Sequence, residues 1–338
     1  MAANSPSRSR TARAPLWCRI GSLVLLLLTF TAARTEAAPL RIGYSDWPGW
    51  VAWQVAIDKG WLKQAGVDVD FEWFDYSASM DAYSAGRIDG VLVTNGDSLV
   101  MNAGGARNVN ILVTDYSNGN DMIVARPGIK TLQDLKGRKI GIEIGLVEHL
   151  LLLDGLKKAG ISPNDVTLVN AKTNETPQVL ASGQVDAIGA WQPNSGLAMT
   201  AVPGAHPVYT SKESPGLIYD VLTVNPVTLA SHRADYARLL PIWDRIVHYI
   251  DDPKTQGDAV QIMAARVGLS APQYQRIVAG THLIDIAEGK KVMVKAPGLG
   301  SLYGSSQNAD DFNVRFGVYK QPQRIDSTIY PALTMAQP

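Results

Sequence analysis

From Leu40 onward, short apolar runs alternate with stretches whose apolar side chains recur at helical spacing. LRIGY (40–44) predicts a strand, and VAWQVAIDKGWLKQAG (51–66) predicts a helix stopped by Gly66, where a missing Cβ suits a left-handed terminus. VDVDFEWF (67–74) alternates with period two, as a strand with one buried face does. SASMDAYSAG (77–86) predicts a second helix, and IDGVLVT (88–94) a buried strand. The same order returns downstream. KIGIEIG (139–145), DVTLVN (165–170) and VDAIGAW (185–191) predict strands, separated by helices over VEHLLLLDGLKKAG (147–160) and TPQVLASG (176–183). Strand–helix alternation of this kind implies parallel sheets with helices on both faces.

An internal echo points to two lobes built alike. Ala85-Gly86-Arg87-Ile88-Asp89-Gly90-Val91 resembles Ser182-Gly183-Gln184-Val185-Asp186-Ala187-Ile188, each with a helix stop at glycine and a strand start after aspartate. DMIVAR (121–126) and YDVLTVNP (219–226) flank the second set and suit strands that cross between lobes. The expected organisation is therefore lobe one over 38–120 and 220–338, the latter with C-terminal helices, and lobe two over 121–219. Two α/β lobes joined by two crossover strands form a clam-shell, with its ligand cleft at the C-terminal ends of the strands.

Residues 1–37 read as a separate export leader. Five arginines and a single glutamate accompany an apolar core, Ile20 to Phe30, followed by small residues through Ala37 and Ala38. As a helix that core spans about 16 Å, short of the roughly 30 Å of bilayer hydrocarbon, so a cleavable signal is expected and with it a periplasmic location. The full chain has 31 basic and 31 acidic side chains, but the part after residue 37 has 26 and 30. Its one cysteine, Cys18, lies in the leader, so a processed chain has no disulfide, thiolate metal site or cysteine nucleophile. Balanced charge argues against a nucleic-acid partner. The five histidines show no metal-ligand spacing, and no serine sits in a nucleophile elbow; neither a metal nor another cofactor is expected.

The loops that would line the cleft contain no lysine or arginine. They hold Asp46, Asp97, Asp115, Asp121, Glu143 and Glu148, with Trp47, Trp50, Tyr76, Tyr116 and Trp191. Carboxylates accept charge-assisted N–H bonds, and indole faces attract cations by roughly 0.5–2 kcal/mol. An anion about 4 Å from one carboxylate is opposed by roughly 4 kcal/mol at an effective dielectric of 20. A cationic or donor-rich ligand is the reading these loops favour. The ligand-binding set expected is Asp46, Trp47, Trp50, Tyr76, Asn95, Asp97 and Tyr116 from lobe one, Glu143 and Trp191 from lobe two, and Asp121 and Asp220 near the hinge. No catalytic residue is expected.

RIGYSDWPGW, AYSAGRIDGVLVTNGD, LKGRKIGIEIG, LLLDGLKKAGI and VDAIGAWQP, in that order, carry a resemblance covering Leu40 to about Tyr330. They resemble the periplasmic solute-binding proteins of the nitrate, sulfonate and taurine ABC-importer family. The resemblance implies a type II periplasmic binding protein fold, and a monomeric receptor that hands a small molecule to membrane permease and ATPase subunits. It would touch the membrane only through the permease. YSDWPGWVAW with TNGD and IGAWQPN is similar to the group whose genes accompany urea carboxylase, which implies guanidine or urea as ligand. Leu146 and Val147 stand where a sulfonate site would favour hydroxyls, and Glu143 precedes them. Taurine, alkylsulfonates or nitrate are the alternative ligands. An enzyme resembling thiamin-pyrimidine synthases is the alternative from another class, and the cysteine-rich motif of those enzymes is missing.

Overall fold

The computed structural model describes residues 38–338, which form one compact unit; the expected leader lies outside the described residues. Eleven strands follow one another: β1 Leu40–Tyr44, β2 Val69–Trp73, β3 Gly90–Thr94, β4 Val109–Ser117, β5 Asp121–Ala125, β6 Lys139–Ile142, β7 Thr167–Asn170, β8 Ala187–Trp191, β9 His206–Thr210, β10 Tyr219–Val224 and β11 Thr281–Leu283. They build two sheets, one in the order β11-β4-β10-β3-β1-β2 and the other β7-β6-β8-β5-β9. The fold is the expected α/β type, two sheet-based lobes with the chain passing between them twice. It leaves the first sheet after β4 and returns to it at β10.

The patterns along the chain explain the placements. β3 reads GVLVT and is buried throughout, as a central strand covered on both faces must be. β2 lies at an edge and has no fully buried residue. β10 runs antiparallel between β3 and β4, and β5 runs antiparallel between β8 and β9. These two reversed strands begin where their parallel neighbours end. Asp121 therefore lies opposite Trp191, and Asp220 opposite Thr94 and Asp115.

The echo has a shared structural cause. Gly86 and Gly183 end their helices at φ +68° and +78°. The next aspartate then returns its side chain to the start of a neighbouring strand, β1 or β6: Arg41 N donates to Asp89 Oδ2 at 3.0 Å, and Lys139 N to Asp186 Oδ2 at 2.9 Å. Backbone bonds from Asp89 N to Arg41 O and from Asp186 N to Lys139 O, both 2.8 Å, complete the same device twice.

Two expectations change in detail. The helix expected over 51–66 is three short helices, Pro48–Val51, Trp53–Asp58 and Trp61–Gln64, with Gly60 at φ +67° before the last of them. The breaks turn Trp53 inward onto Phe71 and Trp243 (ring centroids 5.0 and 5.3 Å), while Trp61 meets the edge of Tyr249 at 5.2 Å. Strand β4, with β9 and β11, was not anticipated. Among the described residues no helix is long and apolar enough to cross a membrane.

Because the two aspartates do the same work, Asp89→Ala and Asp186→Ala should lower unfolding stability alike, by about 1 kcal/mol each. Denaturant titration of the two variants checks this, and a loss confined to one of them would show that the echo is only sequence-deep.

Candidate functional site

The ends of β1, β3, β6 and β8 and the starts of β5 and β10 meet at one edge of each sheet, and the site grows from there. After β1, Pro48 opens a short helix that carries Trp47 and Trp50 inward. The Pro48-Gly49 turn is sterically specific: a Cβ on Gly49 would sit 2.0 Å from Asp115 Oδ2. The close approach lets Trp47 Nε1 donate to Asp115 Oδ1 at 2.7 Å. Trp50 stacks on Tyr76 with centroids 5.2 Å apart, and Tyr76 meets the edge of Trp191 at 5.1 Å. An aromatic wall thus runs from the first sheet's loops to the second sheet's.

Polar contacts cross the same divide. Asp46 accepts from Trp191 Nε1 at 3.0 Å and from Asn194 Nδ2 at 2.8 Å. The Tyr76 hydroxyl donates to Asp97 Oδ2 at 2.6 Å. Asp97 also lies close to Val147, at the start of helix Val147–Lys158. A helix N-terminus is where an anionic ligand would ordinarily be held. Here a carboxylate of the chain faces it.

A cavity of about 40 Å³ opens between the sheets, bounded by Asp46, Tyr76, Ser77, Glu143, Trp191 and Asn194. At about 10–15 Å³ per water, it admits a solute of only a few heavy atoms. Lys172, absent from the loops singled out by sequence, is part of its wall; its side chain is exposed and lies beside Glu143.

Behind the cavity the acids gather. Asp97, Asp115, Asp121, Asp220 and Glu148 are all 2% exposed or less. Burial lifts Asp97 to about 7, partly offset by Tyr76, Thr94 and Val147, while Glu143 pushes it further up. Burial likewise brings Asp115 and Asp121 to about 6. Asp220 and Glu148 rise well above the usual carboxylate range, first through burial and then through Asp115 and Asp121 respectively. Glu143 and Asp46 are also raised by burial, the former eased by Ser77 and Thr173, the latter by Trp191 and Asn194.

Of the residues expected from sequence, Asp46, Trp47, Trp50, Tyr76, Asp97, Glu143 and Trp191 converge on the aromatic wall and the cavity, and Asp121 and Asp220 lie with the buried acids behind it. Asn95 is turned to structural use: its Nδ2 donates to Ser305 and Ser306 Oγ at 3.1 Å each, and its Oδ1 accepts from Tyr219 N at 3.2 Å. Tyr116 stands aside, half-buried against Tyr219 and His282. Asp115 and Glu148 join the cluster although the expected set left them out. The signal for Asp115 was an apolar run, NILVT, ending in an acid; Glu148 was disguised as the ordinary first-turn acid of a helix.

The comparisons with known proteins fit this architecture. The sequence pattern of the family described as NMT1/THI5 like matches residues 47–245. A binding protein of Brucella abortus is 33% identical over 183 residues, covering 53% of this chain and 56% of that protein. The Escherichia coli taurine-binding periplasmic protein is 27% identical over 202 residues, covering 57% and 59%. The chain thus spans little more than half the length of these relatives. In structure, the alkanesulfonate-binding protein of Xanthomonas axonopodis pv. citri bound to MOPS matches with a TM-score of 0.73 at 18% identity, covering 88% of this chain and 99% of that one. The desulfurization enzyme DSZB has the same fold, with a TM-score of 0.60 at 16% identity over 88% and 98%.

The raised acids set the pH dependence of the unliganded protein. A carboxyl whose pKa is higher folded than unfolded adds stability that is complete below about 3.8 and is lost as pH climbs through the folded value. For Asp97, Asp115 and Asp121 that loss runs from about pH 4 to about 7, at up to about 1.4 kcal/mol per unit per group. His149, lowered by burial to about 4, opposes the trend between there and its ordinary 6.5. One histidine does not offset three acids, so the melting temperature should fall between about pH 5 and 7.5. A rise measured by differential scanning calorimetry would contradict the buried cluster.

Proposed function

The chain belongs to the NMT1/THI5-like family, and from that premise we propose that it is the periplasmic solute-binding protein of an ABC importer, exported by its leader. In this reading it captures a small nitrogen-rich solute of the guanidine or urea type and delivers it to a membrane permease and its ATPase. The lobes are residues 38–120 with 220–338, and 121–219. The observation that carries the reading is the concentration of buried carboxyls and aromatic faces at the cleft, with the nearest lysine exposed at the cavity wall. Planar N–H donors satisfy carboxylate oxygens in pairs, and the indole and phenol rings cover the ligand's faces.

Closure follows from contacts on both sides. Only differential affinity for the closed form moves the equilibrium between open and closed states. Asp46 already spans the cleft to Trp191 and Asn194, and Asp97 lies close to Val147 at the start of the facing helix. A solute held between Tyr76 on one side and Glu143 on the other adds to these bridges. Binding rather than catalysis is supported by the relatives, which are named for binding.

A second reading, taurine or an alkylsulfonate, has two supports. A taurine-binding and an alkanesulfonate-binding protein are among the proteins this chain resembles, and Lys172 offers one cation at the cavity wall. Taurine's ammonium would use the acids and its sulfonate Lys172.

A thermal-shift series with guanidinium, urea, taurine, an alkylsulfonate and nitrate separates the readings, since a ligand at a thousand times its Kd stabilises by about 4 kcal/mol. Guanidinium or urea is expected to raise the melting temperature, and a shift with sulfonates alone would reject the first reading. Glu143→Gln should weaken guanidinium more than about tenfold, the cost of roughly 1.4 kcal/mol in a charge-assisted contact; unchanged calorimetric affinity removes Glu143 from the site.

A further inference from the structure

Glu148 has no role in the site as expected from sequence, yet its surroundings are those of a ligand contact. Its side chain is fully buried at 0% exposure, and neither carboxyl oxygen meets a hydrogen-bond donor of the protein. It faces Asp121 and, beyond it, Asp97. Asp121 Oδ2, Asp220 Oδ2 and Trp50 Nε1 are buried without partners too. Asp220 lies directly across the ladder from Asp115, where like charges destabilise a sheet.

Carboxylates brought together out of water repel one another strongly. Burial and the neighbouring carboxyl push Asp220, beside Asp115, and Glu148, beside Asp121, well above the ordinary carboxylate range. Other ionisable groups also face these carboxyls. Tyr76 and Glu143 act on Asp97, and both are acidic or neutral. Tyr274 and His282 act on Asp115, and the His282 ring is engaged by Glu288 at 2.9 Å. Lys172 acts on Glu143 from its exposed position.

We infer that Asp97, Asp121, Glu148 and Asp220 form the inner seat of the ligand, that the seat takes a planar cation bearing several N–H groups, and that the cation enters by displacing a shared proton. The inference rests on the proposed function and narrows it to a guanidinium, excluding neutral urea. Glu148 is the arm that the second lobe contributes, reaching in from the first turn of helix Val147–Lys158. The exchange balances: one O–H proton leaves a carboxyl pair for solvent as one positive charge arrives, and the buried charge is unchanged. A neutral solute cannot drive that exchange, because it would leave an uncompensated carboxylate pair behind.

Isothermal calorimetry of the protein with guanidinium chloride, in two buffers of different ionisation enthalpy near pH 6.5, counts the protons released. Release of about half to one proton per cation is expected, with affinity rising up to about tenfold per pH unit, the limit for one exchanged proton. Glu148→Gln should weaken guanidinium more than about tenfold and reduce the proton count, whereas a packing role alone would alter melting temperature and leave the count unchanged. Asp220→Asn, which relieves the cross-strand pair, tests the same point should Glu148→Gln fail to fold. Guanidinium binding without proton release, and unaltered in both variants, overturns the inference and leaves the proposed function standing. Saturable binding of taurine with no guanidinium binding overturns both.

Discussion

Bringing carboxyl groups out of water without cations beside them is the constraint on which the rest of this structure turns. A single buried carboxylate costs several kcal/mol unless it is paired or protonated. Here five gather where strands of the two sheets begin and end, and the chain answers with tyrosine and indole donors. None of these fully discharges the cost. Burial and mutual repulsion hold several of them above the ordinary carboxylate range.

The scaffold explains why the acids meet. Parallel strands end at the same edge of each sheet, and the antiparallel crossovers begin there, so residues far apart in sequence are brought to one line. Asp115 and Asp220 become cross-strand neighbours; Asp121 lies opposite Trp191; Glu148 enters from the following helix. The Pro48-Gly49 turn supplies the close approach that seats Trp47 on Asp115. Fold and site thus share their causes.

Much of this was legible in the sequence where the signal is local. Period-two alternation marked β2, an apolar run marked β3, and the glycine-then-aspartate echo anticipated a device that recurs in both sheets with matching hydrogen bonds. The charge and ring content of the loops after the strands pointed to the cleft. What escaped notice depended on pairing. β4 lies beside β10 only because of tertiary register, so Asp115 could not be matched to Asp220 beforehand. Glu148 carries no mark that separates it from a solvated first-turn glutamate, and Asn95 looked like a cleft residue until helix Leu302–Arg315 was seen to engage it. Lys172 precedes a short turn, and nothing near it in sequence places it against Glu143.

The central claim is that the buried carboxyls are a receptor for positive charge and not a packing accident. A crystal structure of the protein grown with guanidinium tests it most directly. A planar cation should then lie against the Trp50–Tyr76 stack, with its nitrogens on the carboxyl oxygens of Asp97, Asp121 and Glu148. A sulfonate or nitrate bound through main-chain amides, with Asp97 drawn away from Val147 and the acids left facing one another, would contradict it.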